Sequence, residues 1–295
     1  MRWGQINTWP NAHLSRRIVG PVHRWHVQET GEGPTLLLLH GAGGSTHSYR
    51  DLLDDLAKAH HVIALDLPGQ GFTQLGARHR CGLDAMAADI AKLCVQEGWK
   101  PVAIVGHSAG GAVAFRLGQI LPGKPAVIGI NAALVSFSGL AGVLFPAMAK
   151  ILATLPFAAT LFSGASDNPE RIKALIDSTG SVLNAEGLDL YRRLVADKAH
   201  VDGTLLMMAQ WSLDRLLRDL EGFDRNILLI AGTNDKTVPY AISEQTASRM
   251  KNADLVLMES YGHLAHEEEP AEVANNIIDY VSGLPQPRSS FTASV

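Results

Sequence analysis

A serine bracketed by glycines is the feature of this 295-residue sequence with the clearest capacity for chemistry. Residues 106–110 read Gly-His-Ser-Ala-Gly, directly after an apolar run at 102–105 and at the start of a predicted helix at about 109–121. A nucleophilic serine on a sharp strand-to-helix turn requires this pattern, because side chains at Gly106 and Gly110 would collide with the turn. The helix that follows would aim its N-terminal N–H groups at chemistry on Ser108. The pentapeptide therefore predicts a strained turn that carries a nucleophile.

A serine nucleophile also needs a general base and an acid that orients the base. Asp235 lies after an apolar run at 226–231, and His263 follows the last predicted strand, which gives the order serine, acid, histidine. The other strand end that can carry the acid closes at Asn131, with no carboxylate nearby. We therefore predict that a neutral His263 takes the Ser108 proton while Asp235 fixes its tautomer. The alternative interpretation is that Asp235 is only a turn residue and His263 only a surface histidine.

Backbone N–H groups are the expected stabilisers of the oxyanion that such a serine would generate. One donor should be the N–H of Ala109, directly after the nucleophile. The second should come from the glycine-rich loop at 40–43, and Ala42 is the favoured residue. Three further residues are predicted to contact substrate beside these donors: His40, Gly41 and His107. The alternative is that they shape the loop or pack in the interior.

Composition restricts the class of protein. Hydrophobic residues make up 46% of the chain and charged residues 18%, which allows a sizeable core and argues against disorder. A formal net charge of −4 gives no support for nucleic-acid binding. Cys81 and Cys94 are too few for a disulfide framework and are interpreted as buried thiols. The first ten residues contain no apolar signal sequence, which predicts a cytoplasmic location.

Short apolar runs alternate with helical patterns over most of the chain. The clearest runs are typical of strands buried on both faces, at 35–39, 61–65, 102–105, 126–130 and 226–231. This alternation predicts an α/β fold with a mostly parallel, twisted sheet of the eight-stranded type, flanked by helices.

The alternation stops between residues 134 and 222, where only helical patterns occur. The clearest of them cover 169–177, 188–199 and 204–220. We predict an all-helical cap at 134–222 that overhangs the C-terminal ends of the strands, the usual place for a site in such sheets. The core would then comprise 1–133 and 223–284, and the polar residues 285–295 would form a mobile tail.

One apolar stretch raises the question of a membrane span. Between residues 134 and 162 the only charge is Lys150, but Pro146, Pro156 and two glycines interrupt the stretch. A pair of short buried or interface-seeking helices is the favoured interpretation, without a transmembrane span. Peripheral membrane contact is left open.

No metal or cofactor is predicted. His266 is followed by three glutamates, but these are more simply the acidic first turn of the last helix. The sequence has no glycine-rich phosphate loop, no dinucleotide fingerprint and no zinc-ligand spacing. Asp66 is predicted to orient neighbouring loops.

In combination, these motifs resemble the α/β-hydrolase superfamily. The residues that carry the resemblance are 40–41, 66–71, 106–110, Asp235 and 262–263. A narrower set resembles the magnesium chelatase accessory proteins of bacteriochlorophyll biosynthesis: 24–28, 129–134, 146–150, 178–181, 207–211 and 262–270. This second resemblance implies a role at or near magnesium insertion into protoporphyrin in a photosynthetic bacterium, with a porphyrin or tetrapyrrole ester and chelatase subunits as partners.

Two functions follow as hypotheses. The first is a serine hydrolase that cleaves an ester, thioester or amide of a hydrophobic molecule through an acyl-enzyme. The second is a non-catalytic accessory protein that binds a porphyrin or a chelatase subunit, since this fold also hosts binding proteins. Large apolar side chains of the cap are predicted to line the site, with the cap's own core as the alternative role: Phe145, Met148, Met207, Met208 and Trp211.

Overall fold

The computed structural model describes residues 1–135 and 168–284, and its sheet confirms the predicted α/β fold. Eight strands hydrogen-bond in the order β1-β2-β4-β3-β5-β6-β7-β8. Their bounds are β1 Ser15–Val19, β2 Arg24–Thr30, β3 Thr35–Leu39, β4 His61–Leu65, β5 Pro101–His107, β6 Ala126–Ile130, β7 Ile227–Gly232 and β8 Ala253–Met258.

The sheet is mostly parallel. Strand β2 pairs antiparallel with β1 and with β4, and every other pairing among the described strands is parallel. Side chains of β3 are buried on both faces of the sheet, and those of Leu36 and Leu37 are fully inaccessible. This burial explains why the strand is a continuous apolar run rather than an alternating one.

The helices of the described residues have the bounds α1 Leu53–Ala57, α2 Leu83–Glu97, α3 Ala109–Ile120, α4 Pro169–Asp177, α5 Ala185–Ala196, α6 Lys198–Ala209, α7 Asp214–Asp219, α8 Ala241–Arg249, α9 Ala265–Glu268 and α10 Pro270–Ser282. On one face of the sheet, α2 and α3 pack against residues that include Leu37 and Ile104. On the other face, α1 and α10 pack against residues that include Leu36 and Val105. The active-site candidates therefore project from a sheet that is covered on both sides.

Between β6 and β7 the described secondary structure is helical, in the region predicted as the cap. The prediction of one helix over 204–220 is wrong, because α6 ends at Ala209 and α7 begins at Asp214. Gln210 lies at the break: its side chain accepts a hydrogen bond from the Cys81 N–H and donates another to the Arg78 carbonyl oxygen. These contacts join the break to a loop distant in sequence, and tertiary contacts of this kind can outweigh local helix propensity.

Two predicted features lie outside the described residues: most of the apolar stretch 134–162 and the tail 285–295. Within residues 1–135 and 168–284, no helix is long and apolar enough to span a bilayer. Cys81 and Cys94 are buried free thiols, and burial raises their pKa values to about 11 and about 12.

Candidate active site

Ser108 lies on the predicted turn between β5 and α3, with φ 51° and ψ −119°, a conformation that a non-glycine residue rarely adopts. A β-carbon at Gly106 would collide with the Gly110 backbone, and one at Gly110 would collide with the Leu39 carbonyl oxygen. The Ser108 N–H donates to the Ile130 carbonyl oxygen at 3.0 Å, which anchors the turn to the neighbouring strand. The strain is thus held in place by close backbone packing on both sides.

The three residues predicted as a triad come together in one hydrogen-bonded chain. Ser108 Oγ donates to His263 Nε2 at 2.9 Å, and His263 Nδ1 donates to Asp235 Oδ2 at 2.7 Å. Asp235 and His263 are buried, with 7% and 6% of their surfaces exposed. This geometry suits proton transfer from a serine hydroxyl to an imidazole whose tautomer is fixed by a carboxylate.

Asp235 is held by three further donors. Its Oδ1 accepts the N–H groups of Thr237 and Val238 at 2.7 and 2.8 Å. Its Oδ2 also accepts from Asn131 Nδ2 at 2.6 Å. Sequence reasoning treated Asn131 only as a strand end without a carboxylate and missed its amide as a partner of the acid. Its position in the sequence was the available signal, because Asn131 directly follows β6, and β6 pairs in parallel with β7, the strand that precedes Asp235.

The loop that follows β3 is shaped around the peptide bond between Gly41 and Ala42. The Gly41 carbonyl oxygen accepts from His40 Nδ1 at 2.7 Å and from the Gly44 N–H at 3.0 Å. A trans peptide holds its C=O and N–H on opposite sides, so these bonds also fix the direction of the Ala42 N–H. The N–H of Ala109 is the first of α3, a position that has no intrahelical acceptor.

A cavity of about 450 Å³ opens between these loops and helices α4, α5 and α6. Ser108, His263, Ala42 and Ala109 line it from the side of the sheet. The side chains that line it from the helical region are mostly apolar: Leu175, Ile176, Val195, Val201, Leu205, Met208 and Trp211. None of the described lining residues is Asp, Glu, Lys or Arg.

The structure brings some of the predicted substrate-contacting residues to this cavity and not others. Gly41, His107, Met208 and Trp211 line it. His40 and Met207, also predicted as contact residues, are fully buried and are not among the described lining residues. Both side chains form hydrogen bonds with the loop that follows β4. His40 Nε2 accepts the Leu67 N–H at 2.9 Å, and Met207 Sδ accepts from Gln70 Nε2 at 3.1 Å. Phe145 and Met148 lie outside the described residues.

His107 packs behind His263. Its Nε2 donates to the His263 carbonyl oxygen at 2.8 Å, and its ring lies 4.8 Å from the His263 ring and 4.4 Å from the His266 ring, centroid to centroid. Burial, together with the neighbouring imidazoles, lowers the pKa of His107 well below its ordinary value. His107 is therefore a neutral support for the His263 backbone near pH 7.

His200, which sequence reasoning missed, joins α6 to two loops of the sheet. Its Nε2 donates to the Gly43 carbonyl oxygen at 3.1 Å, and its Nδ1 accepts the Gly71 N–H at 2.9 Å. Burial lowers its pKa to about 4, so the ring is neutral near pH 7 and can act as donor and acceptor at once. No local pattern marks this residue, because its partners lie more than a hundred positions away.

Asp66 organises the loops beside the cavity, in line with its predicted role. It accepts the N–H groups of Thr46 and Phe72, each at 2.7 Å, and a hydrogen bond from His26 Nδ1 at 2.6 Å. Burial opposes its ionisation, but His26, His40 and the Phe72 N–H outweigh burial and hold its pKa below the ordinary range. Across the described ranges, no group of three or more His, Cys, Asp or Glu side chains is arranged to hold a metal ion.

Comparison with known proteins identifies the family of this chain. A family model described as alpha/beta hydrolase fold matches residues 34–270. The chain belongs to the α/β-hydrolase fold family. This α/β-hydrolase is also 44% identical over 278 residues to the "Magnesium-chelatase 30 kDa subunit" of Rhodobacter capsulatus, covering 93% of this chain and 97% of that protein. Both resemblances predicted from the motifs are thereby confirmed.

Solved structures show the same fold at lower identity. The epoxide hydrolase CorEH superposes with a TM-score of 0.76 at 22% identity, covering 92% of this chain and 99% of that one. An esterase from Thermogutta terrifontis superposes with a TM-score of 0.70 at 21% identity, covering 91% and 98%. At these identities the likeness concerns the α/β-hydrolase fold alone.

Proposed function

We propose that this α/β-hydrolase is a serine hydrolase that cleaves an ester, thioester or amide of a hydrophobic molecule through an acyl-enzyme. One observation carries the proposal: the unbroken hydrogen-bonded chain from Ser108 through His263 to Asp235, whose serine end faces an apolar cavity. A hydroxyl, an imidazole and a carboxylate in this arrangement are the parts that nucleophilic acyl transfer requires.

In the proposed reaction, Ser108 Oγ bonds to the substrate carbonyl carbon while its proton passes to His263 Nε2. Asp235 stabilises the imidazolium, and the oxyanion accepts hydrogen bonds from the N–H groups of Ala42 and Ala109, each worth about 3 kcal/mol in such sites. Collapse breaks the bond to the leaving group, which leaves with the proton from His263. Water then attacks the acyl-enzyme, with His263 as its base, and releases the acid and free Ser108.

The lining supports a neutral, hydrophobic substrate. A charged group that enters an apolar cavity loses its hydration, and the described lining residues offer no opposite charge in return. We therefore assign to this site substrates whose buried portion carries no carboxylate. Helices α4 to α6 belong to the region that we propose acts as a cap over the nucleophile.

The name of the Rhodobacter capsulatus relative favours a second candidate, an accessory protein associated with magnesium chelatase. The resemblance of the motifs implies that its setting would be bacteriochlorophyll biosynthesis. Such a protein would bind a porphyrin, a tetrapyrrole ester or a chelatase subunit without needing Ser108. Trp211 and Met208 would then contact the ligand. Because none of the described lining residues is a cation, an esterified tetrapyrrole suits this cavity better than one with free carboxylates.

The two candidates are separated by the rate of hydrolysis of a small neutral aryl ester. If the protein is a serine hydrolase, Ser108→Ala and His263→Ala should each lower kcat by roughly 10⁴-fold or more, with the fold unchanged by circular dichroism. The control Ser282→Ala, at the end of α10, should retain the wild-type rate. An unchanged rate in Ser108→Ala would rule out the triad assignment.

For the second candidate, a tetrapyrrole ester is titrated and its Soret absorbance is followed. A saturable shift at micromolar protein that Trp211→Ala weakens, and that Ser108→Ala does not, supports ligand binding without hydrolysis. Absence of a saturable signal counts against it. Complementation of a pigment-deficient deletion strain by Ser108→Ala then decides whether hydrolysis is needed in the pathway.

A further inference from the structure

The segment 178–182, which connects α4 to α5, contacts both loops that carry the acid and the histidine. The Thr179 carbonyl oxygen accepts the Lys236 N–H at 3.1 Å and the His263 N–H at 3.4 Å. The Gly180 carbonyl oxygen accepts from Asn234 Nδ2 at 2.7 Å. A short piece of chain from the helical region is therefore bonded to both sequence neighbours of Asp235 and to the backbone of His263.

Two side chains complete these contacts around His263. Ser181 is fully buried, and its Oγ accepts the Leu264 N–H at 2.8 Å. Glu268 accepts the Gly262 N–H at 2.8 Å with one carboxyl oxygen and the Val182 N–H at 3.0 Å with the other. The N–H groups of three consecutive residues, 262 to 264, are thus fixed by the 178–182 segment and by Glu268.

The backbones in this region lie in direct contact. Gly180 has φ +86°, and a β-carbon there would collide with the Asn234 carbonyl oxygen. A β-carbon at Gly262 would collide with the backbone of Gly180 and Ser181. Glycine at both positions allows the segment to approach the histidine loop closely enough for these hydrogen bonds. The motifs at 178–181 and 262–270, separate in sequence, therefore form one packed unit.

We propose that Ser181 and Glu268 are positioning residues that hold the His263 loop, so that the placement of the 178–182 segment sets the alignment of His263 with Ser108. The proposal rests on the serine hydrolase function above. The direction of the His263 ring follows from its backbone, and a displacement of a fraction of an ångström would weaken the 2.9 Å bond between Nε2 and Ser108 Oγ. Neither residue contacts the reacting atoms, so both act through His263.

The kinetic test compares Ser181→Ala and Glu268→Gln with Ser178→Ala on the neutral aryl ester. Ser178 lies in the same segment, but its hydroxyl is exposed and donates to the Leu175 carbonyl oxygen instead of accepting from the histidine loop. We expect kcat to fall about 10- to 100-fold in Ser181→Ala and Glu268→Gln, the scale of small misplacements, with KM little changed. Ser178→Ala should match wild type, and Ser181→Thr should recover part of kcat.

A second readout does not depend on turnover. The proton on His263 Nδ1, shared with Asp235, should give a downfield proton NMR signal that His263→Ala removes. In Ser181→Ala and Glu268→Gln this signal should broaden or disappear, while Ser178→Ala keeps it. Wild-type kcat together with a wild-type signal in both variants would overturn the proposal. If the wild-type protein shows no turnover that depends on Ser108, the proposed function is refuted. The NMR signal would still decide whether Ser181 and Glu268 position His263.

Discussion

Asn131 shows how a residue at a strand end supports an acid that lies elsewhere in the sequence. It has φ +46° and donates from Nδ2 to the same Asp235 oxygen that accepts from His263. Two donors on one oxygen restrict the rotation of the carboxylate, and the two N–H groups on the other oxygen complete its orientation. The Asp235 carboxylate is thus held by residues that follow β6 and β7, and only the position after β7 was expected.

Replacing Asn131 by glycine should lower kcat without a matching loss of fold. Glycine tolerates the positive φ, so the change removes the amide donor and leaves the backbone conformation accessible. Loss of a hydrogen bond to a charged group costs about 2 kcal/mol, which corresponds to roughly a 30-fold fall in kcat if the bond matters most when His263 is charged. Kinetics on the aryl ester measure kcat, and urea unfolding checks that the fold is retained. An unchanged kcat would contradict the role assigned to Asn131.

The functional residues that the sequence predicts are placed by their local context, and those that it does not predict are placed by long-range contacts. Ser108, Asp235 and His263 each follow a strand, so their order and local context suffice to place them at one edge of a parallel sheet. His200 bonds to Gly43 and Gly71, and such long-range contacts leave no trace in the local sequence. Polar residues whose partners are distant backbone groups therefore become visible only in three dimensions.

At the scale of elements, buried strands were the most predictable part of the fold. The apolar runs at 35–39, 61–65 and 126–130 coincide with β3, β4 and β6, because a strand covered on both faces must be apolar along its whole length. Helical bounds depend more on distant contacts. The pattern at 204–220 is interrupted at Gln210, whose side chain bonds to the loop around Cys81, and its sequence neighbours give no sign of that loop.

The turn between β5 and α3 should not tolerate a side chain at Gly106. A β-carbon at Gly106 would collide with the backbone of Gly110 and Gly111, neither of which can move without displacing α3. We expect Gly106→Ala to lower the free energy of unfolding by about 3 kcal/mol, the upper end of the typical range for overpacked cores. Gly222→Ala is the matched control, because no atom lies within 4 Å of its added β-carbon. Equal urea midpoints for the two variants would contradict this account.

At the scale of the whole molecule, buried neutral histidines should make the fold sensitive to acid. Burial lowers the pKa of His200 to about 4 and that of His266 to about 3, below the ordinary value of 6.5. Between the folded-state pKa of each histidine and its ordinary value of 6.5, the unfolded chain binds a proton at that histidine and the folded chain does not. The contribution of these groups to stability is therefore fully present above pH 6.5 and is lost as the pH falls. Each such group contributes a slope of about 1.4 kcal/mol per pH unit. Glu267, whose pKa burial raises, opposes this trend.

Replacing His266 by phenylalanine should flatten this dependence. Neither ring nitrogen of His266 has a partner among the described residues, and the ring packs against His107 and Tyr49. An apolar ring of similar shape should therefore keep the packing and remove one titrating group. Urea unfolding at a series of pH values from 7 to 5 measures the slope, with the exposed His13→Phe as control. Parallel curves for wild type and His266→Phe would refute the prediction.

The central claim, that Ser108 is an activated nucleophile, is tested most directly by the mass of the protein after incubation with a fluorophosphonate. The account predicts one covalent label, located on Ser108 by peptide sequencing, while Ser48, a second serine that lines the cavity, stays unlabelled. Labelling should be abolished in Ser108→Ala and strongly slowed in His263→Ala, because the imidazole removes the hydroxyl proton. Absence of a label on the wild-type protein, or a label that persists in Ser108→Ala, would contradict the claim.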